Sequence, residues 1–286
     1  MQRCLIIEAE EAAGRFPHRP FRVAHRLADS PLFELSRLVE LGRSLAPDRV
    51  EYNLGELDVH QDPASVPGNG LSVEETIERI GQCRSWLVLK NVEQDPDYRA
   101  LLEGCMAEFR AWAGQTLGRM ADMMAFIFVT SPGSVTPFHF DPELNFLLQI
   151  RGDKIMHAFD EADRELLPET RLEQQYVDPS THRNLTFEPH YQARAESFHL
   201  QPGQGVYMPV HAPHWVQNGD QVSVSFSITC RSAQSQRRAR LYGLNGRLRR
   251  AGLRPVPVGA SPWRDAVKDT AYRAYCKARR LAGGGD

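Results

Sequence analysis

The chain has 286 residues, 42% of them apolar and 24% charged. That ordinary globular balance excludes a disordered or low-complexity chain and supplies enough apolar material for a substantial core. The formal charge of −2 is unevenly spread: residues 231–286 hold fourteen Arg and Lys against three Asp, a net of +11, which leaves −13 on the first 230 residues.

Five cysteines (Cys4, Cys83, Cys105, Cys230 and Cys276) are scattered, with no CxxC pair. That pattern fits a reducing compartment better than a disulfide framework. The opening Leu5-Ile6-Ile7 run is too short for a signal peptide, and no apolar stretch approaches about 18 residues. The expectation is a cytoplasmic chain without a membrane span.

In chain order, Ser30-Pro31 followed by Leu32, Phe33, Leu35, Leu38, Val39 and Leu45 predicts a helix with a Ser cap, stopped by Pro47. Ser72 with Glu75 three residues on is a capping-box pattern that opens a second helix. Trp86–Leu89 predicts a short buried strand, and Asp95-Pro96 opens a third helix running through Trp112. From about Met123 the pattern turns to strands: 123–129, 145–150, 154–159, 197–200, 205–208 and 222–228. Between them sit turns at Arg151-Gly152-Asp153, Gln201-Pro202-Gly203-Gln204 and Asn218-Gly219-Asp220. The 222–228 segment alternates strictly, with one apolar face and one hydroxyl face. After Arg231 the pattern is helical again. The fold class expected is mainly β with flanking helices (α+β), with a jelly-roll or related barrel as core. Its divisions are a mostly helical region over 1–122, a β core over 123–230 with an insert at 161–196, and a basic helical region over 231–286.

The segment Thr136-Pro137-Phe138-His139-Phe140-Asp141 and the distant His214 carry the chemistry. An H-x-D pair plus a remote histidine is the donor set of a 2-His-1-carboxylate triad, which leaves one face of an Fe(II) ion open. His139 and Asp141 are two residues apart, so an extended chain points both to one side. His211 and His214 compete for the third position; an offset of three sets them on opposite sides, and His214, next to the alternating strand, is preferred. The expectation is that His139, Asp141 and His214 are the metal-binding and catalytic residues. An acidic co-substrate such as 2-oxoglutarate would further need a cation and a hydroxyl. Lys154, one of only four lysines, and Thr136 are the candidates, with Arg151 as rival cation.

Taken with Asn145-Phe146, Gln149-Ile150, Gly152 and Pro209, these residues resemble the JmjC-type (cupin-8-like) Fe(II)/2-oxoglutarate oxygenases. The pattern is nearest that of the asparaginyl hydroxylase inhibiting hypoxia-inducible factor, and the resemblance covers roughly residues 123–230. It implies a double-stranded β-helix core, with Fe(II) on His139, Asp141 and His214 and the distal 2-oxoglutarate carboxylate on Thr136 and Lys154. Asn145 would lie beside both. The position of Ser227 would face the co-substrate too, although the hypoxia-factor enzyme has an asparagine there. The partners implied are 2-oxoglutarate, dioxygen and a prime substrate that the sequence does not identify.

Two other readings stay open: a non-catalytic metal- or ligand-binding regulator whose basic tail contacts DNA, and a cupin enzyme independent of 2-oxoglutarate. For the tail itself, Leu241, Leu244 and Leu248 at helical spacing favour helices that neutralise the acidic body or build a homodimer over nucleic-acid contact. The 161–196 insert, with His182, His190 and Tyr191, reads equally as a lid or substrate loop or as a solvated excursion. His157, three past Lys154, is expected to point away from the site.

Overall fold

The computed structural model describes residues 4–54, 59, 68–178, 180–181 and 183–281, so His182 lies outside the described residues. In chain order the N-terminal elements are β1 (Leu5–Ile6), α1 (Ala9–Ala12), β2 (Phe21–His25), α2 (Leu35–Ser44), β3 (Val50–Leu54), α3 (Val73–Glu78), β4 (Ser85–Lys90) and α4 (Pro96–Ala113). There follow β5 (Met120–Thr130), β6 (Val135–His139), β7 (Leu144–Arg151), β8 (Lys154–Ala158), α5 (Glu169–Val177), β9 (Glu196–Leu200), β10 (Gln204–Met208), β11 (His214–Asn218) and β12 (Ser223–Ser232). Two helices close the chain, α6 (Ala233–Arg250) and α7 (Pro262–Leu281).

These strands form two antiparallel sheets, one in the order β1-β2-β10-β7-β12-β5-β4-β3 and one in the order β6-β11-β8-β9. The strict alternation of β12 shows how they stack. Val224, Phe226 and Ile228 join β7's Phe146 and Leu148 in the core that the larger sheet makes with α2, α3 and α4. Ser223, Ser225 and Ser227 are turned to the opposite face, where Ser225 donates to Gln149 Oε1 at 2.7 Å and Ser227 to Asn145 Oδ1 at 2.8 Å. A second apolar layer, Leu147 and Val206 against Met156, Phe198 and Val216, fills the space between the sheets. A hydroxyl face buried inside a jelly roll needs partners for each polar atom. The amides of β7 supply them.

Several expectations are met and others corrected. The capping box of α3 is complete, with Glu75 N–H to Ser72 Oγ at 3.1 Å and Ser72 N–H to Glu75 Oε2 at 2.9 Å. Asp95 caps α4 as predicted. The helix expected from Ser30 is broken: Pro31–Phe33 is a 3₁₀ turn, Glu34 turns out to ψ 140°, and α2 begins only at Leu35. The region 1–122, expected to be mostly helical, also gives β1 to β4 and the start of β5 to the larger sheet. Of these strands β4 was expected from Trp86–Leu89, but β1 has only two residues and β3, half-buried along its length, has no clean apolar face. No helix among the described residues is long and apolar enough to cross a membrane.

The 161–196 insert is held firmly. Its α5 packs on α6, where Gly246 allows the approach: a Cβ there would lie 2.6 Å from Val177 Cγ2 and 3.0 Å from the Glu173 carbonyl. Gly246→Val should therefore lower stability by about 1–3 kcal/mol, as overpacked contacts do; denaturant melts measure it. Part of the basic tail pairs with the body, with Arg249 on Glu173 and Arg238 on Glu161, while Arg231 meets Glu143 at 2.7 Å. These pairs argue for neutralisation of the acidic body over a nucleic-acid surface.

Candidate metal centre and co-substrate cavity

His139 ends β6, Asp141 follows it in the loop, and His214 opens β11. Register brings them together: β11 pairs with β6 so that His214 lies opposite His139, and their ring centroids are 4.1 Å apart. Asp141 Oδ2 is 3.7 Å from His214 Nε2, and one donor atom from each of the three residues lies within 4.8 Å of the others.

The imidazoles are set for a cation. His139 Nδ1 lies 2.7 Å from the Pro137 carbonyl and His214 Nδ1 2.9 Å from that of Ala212. A carbonyl only accepts, so each Nδ1 carries the proton and each Nε2 is left with its lone pair toward the site. Burial, with His214 adding to it, lowers the His139 pKa to about 4, so its ring is neutral near pH 7. For Asp141, burial alone would raise the pKa; the Arg183 guanidinium and the two imidazoles outweigh it and hold the group below its ordinary value. Asp141 is thus an anion near neutral pH.

The carboxylate's other oxygen is taken. Arg183 Nη1 donates to Asp141 Oδ1 at 2.7 Å and lies 4.0 Å from Glu143 Oε2. Arg183 comes from the insert, whose backbone is stitched to β6: Phe140 N–H reaches the Arg183 carbonyl at 3.3 Å and Leu185 N–H the Phe138 carbonyl at 2.8 Å. Sequence reasoning missed Arg183 and Glu143. Arg183 had no spacing signal, since its role depends on how the insert folds back; Glu143, two past Asp141, extends the H-x-D pattern and was open to notice.

His211, the rival third ligand, points elsewhere. It sits at φ +70°, its Nε2 is 2.6 Å from the Tyr176 hydroxyl, and its backbone N–H donates to the Asp141 carbonyl at 2.8 Å. It braces α5 against the ligand loop. His157 also faces away, stacked on Trp215 at 4.1 Å with Nδ1 2.8 Å from Ser197 Oγ. His190 lies at the surface, 3.5 Å from Glu165.

A cavity of about 430 Å³ opens over the triad. Thr136, Asn145, Lys154 and Ser227 all line it, as do Gln175, Arg183 and Asn184 of the insert. Lys154 reaches it because the Arg151–Asp153 turn, with Gly152 at φ +67° against the Val222 carbonyl, starts β8 with Lys154, Met156 and Ala158 inward. The side chain is buried and has no hydrogen bond or ion pair among the described residues; burial alone lowers its pKa to about 7. Arg151, the rival cation, is exposed. Because Ser227 donates to Asn145 Oδ1, that amide's remaining N–H donors are left for whatever occupies the cavity.

Residues 72–228 match the family described as a cupin-like domain, Cupin_8. HSPB1-associated protein 1 homolog of Danio rerio is 34% identical over 97 residues, covering 32% of this chain and 22% of that protein. HSPB1-associated protein 1 of Rattus norvegicus is 31% identical over 111 residues, covering 35% and 22%. These matches thus span only about a fifth of the length of the curated relatives. Among solved structures, Escherichia coli YcfD superposes with a TM-score of 0.54 at 17% identity, covering 96% of this chain and 69% of that one. A structure described as YcfD, a ribosomal oxygenase, in complex with cobalt and 2-oxoglutarate gives 0.50 at 15% identity, covering 96% and 68%. The likeness shown is to this family and fold; a special likeness to the hypoxia-factor hydroxylase is not shown by it.

Proposed function

The chain belongs to the cupin-like domain family, and from that premise we propose that it is an Fe(II)- and 2-oxoglutarate-dependent oxygenase, hydroxylating a peptide, a protein side chain or a small metabolite. The observation that carries this reading is the convergence of two lone-pair-bearing Nε2 atoms and one anionic oxygen beneath a cavity that holds a buried lysine with no partner among the described residues. The donor set fits a ferrous ion: two neutral nitrogens and one carboxylate leave the ion with positive charge and an open face. YcfD, of the same fold, is described with cobalt and 2-oxoglutarate bound, which agrees with this pairing of ligands.

His139, Asp141 and His214 would hold the iron, which when bound supplies dioxygen chemistry coupled to decarboxylation of 2-oxoglutarate. The chain's own share is binding and orientation. Lys154 would hold the distal carboxylate of the co-substrate, and Thr136, also on the cavity wall, would add a hydroxyl donor. Asn145, its oxygen occupied by Ser227, presents N–H donors only. Arg183 holds Asp141 Oδ1, so that Oδ2 alone is offered to the metal. Gln175, Arg183 and Asn184 give the insert a face on the cavity, which favours the substrate-loop reading over a solvated excursion.

The test is succinate formation from 2-oxoglutarate under air with added Fe(II). Turnover, even uncoupled from a prime substrate, supports the proposal. If no succinate forms, and calorimetry with Mn(II) in place of iron detects no 2-oxoglutarate binding, the proposal is wrong. Arg183→Ala should weaken metal binding roughly 10- to 100-fold, as loss of a ligand's outer partner does, read by Mn(II) titration. Arg183→Lys should recover part of that loss.

A further inference from the structure

The two sheets differ in width, and the wider one carries part of its inner face past the other. The apolar layer between them draws on β7 and β10 of the larger sheet and on β8, β9 and β11 of the smaller, with Phe128 of β5 packed against it. Neither β3 nor β4 contributes to that layer. Their residues Glu51, Asn53, Trp86, Val88 and Lys90 instead continue the cavity wall beyond Phe126 and Phe128. Burial separates the two faces. Leu87, Leu89, Ala125, Ile127 and Val129 are fully buried in the core beneath the helices, whereas Trp86, Phe126 and Phe128 on the other face are only half-buried. Trp86 and Phe128 lie 6.1 Å apart, centroid to centroid. Among the described residues, these three rings form an aromatic floor open to the cavity.

Register places this floor beside the co-substrate. Phe126 pairs with Ser227, and Lys90 pairs with Phe126, so β4 lies two strands, about 10 Å, outward from Ser227. The charges of the wall are already matched. Lys90 meets Glu51, Arg183 meets Asp141 and Arg231 meets Glu143, while Lys154 is reserved for the co-substrate in the function proposed above. We propose that Trp86, Phe126 and Phe128 form the subsite for the prime substrate and select an uncharged aromatic side chain, a proposal that rests on the oxygenase reading. A ring laid on this floor gains offset or edge contacts that an aliphatic chain lacks. A charged side chain would find no free counter-charge, and burying it unpaired is costly. A cation would gain from the ring faces but shares the wall with the Lys90 ammonium, whose carboxylate partner is taken. A free amino acid brings two further charges at its α-carbon, so the wall fits a ring carried by a peptide.

The probes are the N-acetyl amides of phenylalanine, leucine, arginine and glutamate, with free phenylalanine, each titrated into the full chain loaded with Mn(II) and 2-oxoglutarate. Broadening of the probe's proton resonances by Mn(II) reads both binding and nearness to the metal. The blocked phenylalanine should bind about tenfold more tightly than the blocked leucine, and more tightly again than the charged probes and free phenylalanine. Trp86→Ala should weaken the phenylalanine probe roughly thirtyfold, and Trp86→Phe should restore most of that loss. Lys90→Met frees Glu51 and should strengthen binding of the arginine probe about tenfold. Calorimetry of Mn(II) and 2-oxoglutarate on the same samples keeps the two readings apart. If both bind, but a charged probe or free phenylalanine binds tightest, or Trp86→Ala leaves the phenylalanine probe unchanged, the aromatic subsite is overturned and the oxygenase reading stands. If neither binds, both are overturned.

Discussion

Asp141→Asn should abolish 2-oxoglutarate turnover, by at least roughly a thousandfold, while leaving the fold in place. The substitution keeps the shape of the side chain and removes the one formal negative charge in the donor set. Two neutral imidazoles and an amide then face the metal, and the Arg183 guanidinium, formerly paired at 2.7 Å, is left beside them as a repelling cation. Several kcal/mol of metal binding and transition-state stabilisation depend on the ion being held, and each 1.36 kcal/mol is tenfold in rate. His139→Ala and His214→Ala should be equally damaging, because each deletes an Nε2 that its backbone partner has oriented. The loss is separable from unfolding. Metal at a hundred times its dissociation constant should add about 2.7 kcal/mol to the stability of the wild type and almost nothing to the variants. Chelation of the wild type should reproduce the Asp141→Asn melting curve. A variant that kept full turnover would place the chemistry elsewhere in the chain.

The parts of this site legible in the sequence are those that a strand encodes by itself. His139 and Asp141 are two apart on one extended piece, and Lys154 follows a glycine turn that fixes its face, so period-two reasoning was sufficient. His214 over His211 was legible for the same reason, although the bracing of Tyr176 by His211 was not. The alternation of β12 gave its two faces, but not that the hydroxyl face would lie inside, because that depends on the amides of Asn145 and Gln149 on the neighbouring strand. Arg183 was invisible: its place over Asp141 follows from backbone pairing between the insert and β6, a long-range contact with no local signature. Of the N-terminal strands β4 was legible from Trp86–Leu89, while β3 was hidden for a related reason. β3 lies at the edge of the larger sheet, paired with β4, which in turn pairs with β5, and its stability comes from that pairing rather than from its own pattern.

Binding of 2-oxoglutarate should depend on Lys154 and weaken as pH rises above 7. In the empty cavity burial has brought the amine down from its ordinary 10.5 to about 7, so at neutral pH about half of the molecules carry the charge. A carboxylate beside the amine favours the ammonium, so binding above pH 7 must take up a proton, and the dissociation constant should climb about tenfold per pH unit over the next two units. Stability moves the other way in the empty protein. Between pH 7 and 10.5 the unfolded chain holds a proton on Lys154 that the folded chain has lost, so the folded state gains stability as pH rises through that window. Bound 2-oxoglutarate, by restoring the charge, should flatten the gain. Lys154→Met isolates the effect: it should bind 2-oxoglutarate roughly a hundredfold more weakly at pH 7, as when one partner of a buried charge pair is removed, with no dependence on pH above 7. The empty variant should also melt higher than the wild type at pH 6, because an uncompensated buried cation has been exchanged for an apolar side chain of similar length. Calorimetric titration across pH 6–9 reads both affinities, and thermal melts read the stabilities. Equal, pH-independent affinities in the two proteins would move the distal carboxylate away from Lys154, leaving Lys90 and Arg183 as the other basic groups of the cavity wall to substitute.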